Sequence, residues 1–228
     1  ISLPWKEKLS SLIGIWPITL LAIIIIGGIY TGVFTPTEAA AVGAFFAFVI
    51  SLGYRRLTWG KLLDSLVETV QITAMMALIL IGSMMFARFL AVSGLTARLG
   101  EAIIAMQLSP VVFIIILMIL YILLGFFMDE VSAMAITLPI FFPIIQEMGI
   151  HPIWSGVVLV SAMVTGMITP PFGIAVFAVK AAAGPDVTIG GIFRGCFPYY
   201  IMVLITLAIL VAFPQISTFL PNTMMGGG

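Results

Sequence analysis

Apolar residues run through this chain in long uninterrupted stretches, without the two-residue alternation of a membrane β-barrel strand. The polar residues between them gather at turns and helix starts. About 20 apolar residues span a bilayer core, and residues 12–33 make the first such run. Gly27-Gly28 near its end suits close helix packing. Thr35-Pro36-Thr37-Glu38 follows, with proline at the first helical position and glutamate at the third, a capping box if Thr35 is the N-cap. On that spacing Glu38 reads as a cap rather than a functional carboxylate. The helix it opens should end near Tyr54, before Arg55-Arg56. Residues 57–67 mix Leu57, Trp59, Leu62, Leu63 and Leu66 with Lys61, Asp64 and Ser65, the pattern of a short amphipathic segment on the membrane surface. A third span is expected at 68–92 and a second amphipathic piece at 95–107, where Arg98 and Glu101 lie between Leu95, Leu99 and Ile103.

The next run, from Ser109-Pro110 to Gly149, is too long for one crossing and is interrupted by Gly125-Phe126-Phe127-Met128-Asp129-Glu130. Its two arms meet at a polar tip, and Pro139 and Pro143 in the second arm favour irregular helix buried in protein. We read residues 110–147 as a re-entrant helical hairpin; two full crossings would return the chain to the same side. After His151-Pro152 comes a span over 153–183, broken by Thr169-Pro170-Pro171-Phe172-Gly173. Two consecutive residues without amide hydrogens strand carbonyls of the preceding turn, at several kcal/mol each in hydrocarbon. Such a break is tolerated where protein or a polar cavity meets those groups, and it commonly lines a transport path. A loop at 184–195 and a last span at 196–213 complete the all-α integral membrane reading.

Composition agrees: 62% of the residues are hydrophobic and 8% charged, against about a quarter charged in a soluble domain. Nine basic and nine acidic side chains leave no net charge to attract nucleic acid. Cys196 is the only cysteine, so no internal disulfide framework exists. Met75, Met76, Met84 and Met85 suit pliable packing better than a metal site. The first residue is Ile1 and no signal-peptide pattern follows, so the chain reads as the later part of a longer polypeptide. With residues 1–11 cytoplasmic, Lys6, Lys8, Arg55, Arg56, Lys61, Lys180 and Arg194 share that side, and only Arg88 and Arg98 fall outside. This positive-inside bias puts the C-terminus on the external face.

Asp129 and Glu130 are the only adjacent acids deep in an apolar run. An intramembrane carboxylate is costly and suggests function, although either residue also suits the N-terminus of the second hairpin helix; Asp129 is the stronger candidate. Ser161, Thr165, Gly166 and Thr169 lead into the break, with Thr165 and Thr169 on one helix face. Carbonyls at 165–168 are hard oxygen ligands for an alkali cation, and amides from Phe172 onward suit an anionic group. A proline kink with back-bonded threonines is the plainer alternative. His151 reads as a surface residue. Serine-nucleophile, metal-ligand and phosphate-loop patterns are absent, and an intramembrane enzyme using Asp129 would lack a second catalytic group facing it. The chain is not expected to be an enzyme.

The stretches GGIYTGVFTPTEAAAVGAFFAF (27–48), GFFMDEVSAMAITLPIFFPIIQEMGIHPIWSGVV (125–158), GMITPPFGIAVF (166–177) and GGIFRGCFPYY (190–200) resemble, in that order, the large membrane subunit of TRAP (tripartite ATP-independent periplasmic) transporters, the DctM-type permease. The resemblance covers essentially the whole chain and corresponds to the C-terminal half of that subunit. It implies one half of an inverted-repeat, elevator-type secondary transporter in the bacterial inner membrane, importing C4-dicarboxylates, sialic acid or similar carboxylates with sodium as coupling ion. The implied partners are a small membrane subunit, a periplasmic substrate-binding protein, the N-terminal repeat of the same subunit and membrane lipid. Residues 1–92 would be scaffold, 93–195 transport region and 196–228 a last helix and tail. Carried over by position, sodium falls at the hairpin tip (Gly125, Met128, Asp129) and the break (Thr165, Gly166, Ile168), with Thr169, Pro170, Pro171, Phe172 and Gly173 against substrate. Some relatives have Asn or Glu before the break where this chain has Ala162 and Met163, a departure that bears on substrate identity. A sodium–dicarboxylate carrier without a binding protein and a non-transporting accessory subunit are the rival expectations.

Overall fold

A computed structural model describes residues 16–55, 57–170, 173–183 and 187–224. All regular structure in them is helical: α1 (Trp16–Tyr30), α2 (Pro36–Gly53), α3 (Trp59–Ser93), α4 (Leu95–Ala105), α5 (Pro110–Leu124), α6 (Glu130–Glu147), α7 (Pro152–Ile168), α8 (Ile174–Ala183), α9 (Ile189–Ala212) and α10 (Pro214–Met224). Four of these, α2, α3, α6 and α9, are long and apolar enough to cross a membrane. The chain divides into two units, residues 1–73 with 222–228, and residues 74–221.

In the first unit, α1 packs on α2. The capping box expected at Thr35 is formed. The Thr35 amide donates to Glu38 Oε2 at 2.8 Å, and the Glu38 amide donates to Thr35 Oγ1 at 3.3 Å. Glu38 is therefore tied to its own helix start.

The segments expected separately at 57–67 and 68–92 are one 35-residue helix, α3. Its length of roughly 50 Å, at 1.5 Å per residue, exceeds the ~30 Å hydrocarbon core. No proline falls within it, so the change from amphipathic to apolar pattern marks a change of surroundings rather than a chain break. The expected loop at 184–195 is also shorter. Thr188 caps α9 by accepting from the Gly191 amide at 3.1 Å, and the helix starts at Ile189. Helix α10, beyond the expected last span, begins at Pro214.

The second unit is organised around α7, which packs against α5, α6, α8 and α9. Its buried residues Trp154, Ser155, Val158, Leu159, Ala162, Met163, Thr165 and Gly166 recur at helical spacing. The apolar ones, Trp154, Val158, Leu159, Ala162 and Met163, join Phe113, Ile114, Leu117 and Tyr121 of α5, Ile144 and Ile145 of α6 and Leu207 of α9 in one core cluster. One polar contact anchors α7 to α9: Trp154 Nε1 donates to the Leu210 carbonyl at 2.7 Å. In an ideal helix that carbonyl would receive the amide four residues on, but position 214 is proline. The indole supplies the missing donor.

Candidate functional site

The site is built where the hairpin tip meets the end of α7. Helix α5 ends at Gly125, α6 begins after Asp129, and residues 125–129 turn between them. The turn is held by amides of Gly125 (to the Tyr121 carbonyl, 2.9 Å), Phe126 (to Leu123, 3.2 Å), Phe127 and Met128 (both to Leu124, 3.0 Å).

Gly125 and Gly166 lie back to back. A Cβ at Gly125 would sit 2.5 Å from the Met163 carbonyl oxygen and 2.9 Å from Gly166 Cα. One at Gly166 would collide with the Ile122 carbonyl oxygen and lie 2.9 Å from Gly125 Cα. The two backbones thus touch directly, which any larger residue on either side would prevent. This contact brings the tip and the break together.

The break begins where Thr169 leaves α7 in an extended conformation, φ −81°, ψ 131°, as a residue preceding proline is driven to do. Above it, hydroxyls bond back along one face. Thr165 Oγ1 donates to the Ser161 carbonyl at 2.7 Å, and Thr169 Oγ1 donates to the Thr165 carbonyl at 2.6 Å. The Thr169 amide reaches the Gly166 carbonyl at 3.0 Å. The plainer alternative, threonines bonded back to carbonyls, is therefore realised. The Thr165 carbonyl, whose helical amide donor Thr169 turns instead to Gly166, keeps a second lone pair, as do the two hydroxyl oxygens. Gly173 closes the turn, its amide donating to the Thr169 carbonyl at 3.0 Å. A Cβ there would sit 2.7 Å from the Met167 carbonyl oxygen, so the chain folds back too closely for a side chain. Helix α8 then starts at Ile174.

Asp129 serves as N-cap of α6: its carboxylate accepts from the Ser132 amide at 3.0 Å and from Ser132 Oγ at 2.5 Å. It is exposed, as is Glu130 in the first turn of α6, whereas Thr165 is fully buried. Gly125, Gly166, Thr169 and Gly173 are buried, Met128 and Ile168 half-buried, and Pro170 exposed. Pro171 and Phe172 lie outside the described residues. The tip–break contact runs through Gly125 and Gly166. The described hydrogen bonds of the Asp129 carboxylate go to Ser132 and do not reach Thr165.

Among the described residues, no three His, Cys, Asp or Glu side chains come together. The donors near the tip and break are main-chain carbonyls, the Thr165 and Thr169 hydroxyls and one carboxylate. These are hard oxygens, the set that suits an alkali cation rather than a soft transition metal. Met128 fits through its carbonyl only, since its thioether is soft. The Tyr121–Thr137 contact across the hairpin (Tyr121 Oη to Thr137 Oγ1, 2.5 Å) was not foreseen. Residues sixteen apart in an apolar run give no periodic signal of a pairing.

Residues 3–216 match the family described as the tripartite ATP-independent periplasmic transporter, DctM component. The chain belongs to this family. Among curated DctM-type relatives, it is 37% identical over 204 residues to the C4-dicarboxylate TRAP transporter large permease of Pseudomonas aeruginosa, covering 89% of this chain and 47% of that protein. It is 32% identical over 224 residues to the sialic acid TRAP transporter large permease of Vibrio cholerae, covering 98% and 52%. The 2,3-diketo-L-gulonate TRAP transporter large permease of Escherichia coli is 31% identical over 213 residues, covering 93% and 49%. The chain spans about half the length of these curated relatives. It is a multi-pass membrane protein of a transporter-permease family, not of an enzyme family.

Proposed function

We propose that this chain is one half of the large permease of a sodium-coupled, binding-protein-dependent importer of small organic anions. The observation that carries the reading is the Gly125–Gly166 contact, which seats the hairpin tip against the end of a broken helix. The carbonyl end of α7 and the amide end of α8 meet at this break and carry opposite partial charges. Sodium, when bound, would neutralise the carbonyl end beside the tip. Gly125, Met128, Thr165, Gly166 and Ile168 would hold it through backbone or hydroxyl oxygen, and Asp129 would contribute charge from the tip. The residues from Thr169 to Gly173 would meet the carboxylate of the substrate at the start of α8. Relatives named for C4-dicarboxylate, sialic acid and 2,3-diketo-L-gulonate transport all act on carboxylates, which is the substrate chemistry proposed for this chain.

In this reading residues 110–147 are a re-entrant hairpin that moves with α7 and α8 against a scaffold. The N-terminus of the chain faces the cytoplasm of a bacterial inner membrane and its C-terminus the periplasm. A small membrane subunit and a periplasmic binding protein complete the assembly. The test is uptake of labelled dicarboxylates and sialic acid into proteoliposomes of the full-length permease and its small subunit, with and without a sodium gradient and binding protein. Uptake that needs both supports the proposal. Uptake with sodium alone moves the protein to the carrier class, and uptake indifferent to sodium refutes the coupling.

A further inference from the structure

We propose that the hydrogen bond between Tyr121 and Thr137 is a clamp that holds the two arms of the hairpin together and sets the shape of its tip. Tyr121 and Thr137 would then be positioning residues for the site. The transport part of this inference rests on the function proposed above; the clamp itself does not.

Tyr121 is fully buried, and its hydroxyl lies 2.5 Å from Thr137 Oγ1. Thr137 Oγ1 already donates its one hydrogen to the Ala133 carbonyl at 2.7 Å. Tyr121 is therefore the donor to Thr137, and the direction of the chain of bonds is fixed. It continues at both ends into the tip: the Tyr121 carbonyl accepts from the Gly125 amide at 2.9 Å, and the Ala133 amide donates to the Asp129 carbonyl at 3.1 Å. A series of bonds thus links Gly125, Tyr121, Thr137, Ala133 and Asp129, and the residues at its two ends are those that begin and end the tip.

Side chains of both arms share the core cluster around α7, but among the described residues no other side-chain hydrogen bond joins them. Helices α5 and α6 each pack on α7, and their direct helix-to-helix contact is slight. Beyond Thr137, α6 carries Pro139 and Pro143, whose missing amides leave two gaps in its backbone ladder. The clamp grips α6 on the tip side of both prolines, so bending at the prolines need not reach residues 125–129.

The test compares Tyr121→Phe, Thr137→Val and Thr137→Ser in the full-length protein in lipid nanodiscs, reading amide exchange at residues 126–128 against residues 113–117 of α5. A net hydrogen bond is worth about 0.5–1.5 kcal/mol, so Tyr121→Phe should speed tip exchange roughly 2- to 10-fold. Residues 113–117 should not change. Thr137→Val, which strands the buried Tyr121 hydroxyl, should speed tip exchange at least as much, and Thr137→Ser, which keeps the bond, should leave it at the wild-type rate. Unchanged tip exchange in Tyr121→Phe, or an equal rise throughout α5, overturns the clamp. In proteoliposomes the same variant should raise the sodium concentration for half-maximal uptake several-fold without changing Vmax. Faster tip exchange with unaltered sodium dependence overturns the positioning role and leaves the clamp. If the wild-type protein shows no sodium dependence, the proposed function fails and the exchange measurement alone decides the clamp.

Discussion

Replacing Gly166 by alanine should destabilise the protein, although in most helices the same change does the opposite. An interior glycine costs roughly 0.5–1 kcal/mol relative to alanine, so a site with room gains about that amount. Gly156, ten residues earlier in α7, is such a site, since a Cβ there meets nothing within 4 Å. At Gly166 the added carbon meets the Ile122 carbonyl and stands 2.9 Å from Gly125 Cα. Both neighbours are backbone and cannot rotate away, so α5 and α7 must separate until ordinary contact, 3.4 Å or more, is regained. Overpacking of this kind costs typically ~1–3 kcal/mol, which outweighs the propensity gain. The two variants should therefore shift in opposite directions, Gly156→Ala upward and Gly166→Ala downward, in melting experiments on the full-length protein in nanodiscs at one fixed scan rate. A Gly166→Ala melting temperature at or above that of Gly156→Ala would refute the backbone contact, and with it the seating of the tip against the break.

Asn caps helices about as well as Asp, so Asp129→Asn should leave folding intact while weakening sodium-dependent uptake; an unchanged sodium titration would remove the carboxylate from the site. Trp154→Phe should cost about 1–3 kcal/mol by leaving the Leu210 carbonyl without a donor. Adding Pro214→Ala, which restores an amide at that position, should recover part of the loss, and a double-mutant cycle with no coupling would contradict the assignment. Thr35→Ala should lower stability by about 1 kcal/mol through loss of the capping box, with uptake per folded molecule unchanged. A selective loss of uptake would restore Glu38 as a transport candidate.

The features legible in the sequence were those with a local cause. The Thr35–Glu38 box follows from spacing alone, and the end of α7 follows from two adjacent prolines, which remove consecutive amides and drive Thr169 out of helical geometry. The tip at 125–129 was legible because glycine and two acids interrupt an apolar run. The union of 57–67 with 68–92 was hidden, since polarity reports what surrounds a helix and not whether its backbone continues. At the site, sequence spacing named Gly125 and Gly166 separately, but only the fold shows that they touch. Asp129 was read both as cap and as ligand, and its bonds to Ser132 establish the first role. Tyr121 and Thr137 look like ordinary members of an apolar arm until the hairpin closes and puts them face to face.

The bond from Trp154 to Leu210 has a consequence for the order of synthesis. Its partners are 56 residues apart, with the donor emerging first. At about 5–20 residues per second, the acceptor follows the donor by roughly 3–11 s. When α9 arrives, the carbonyl that Pro214 leaves bare can find an indole already in place on α7. In the reverse order that oxygen would wait without its donor, at a cost of about 1–3 kcal/mol while buried. The vectorial growth of the chain therefore suits a proline that opens α10 two residues past the end of α9.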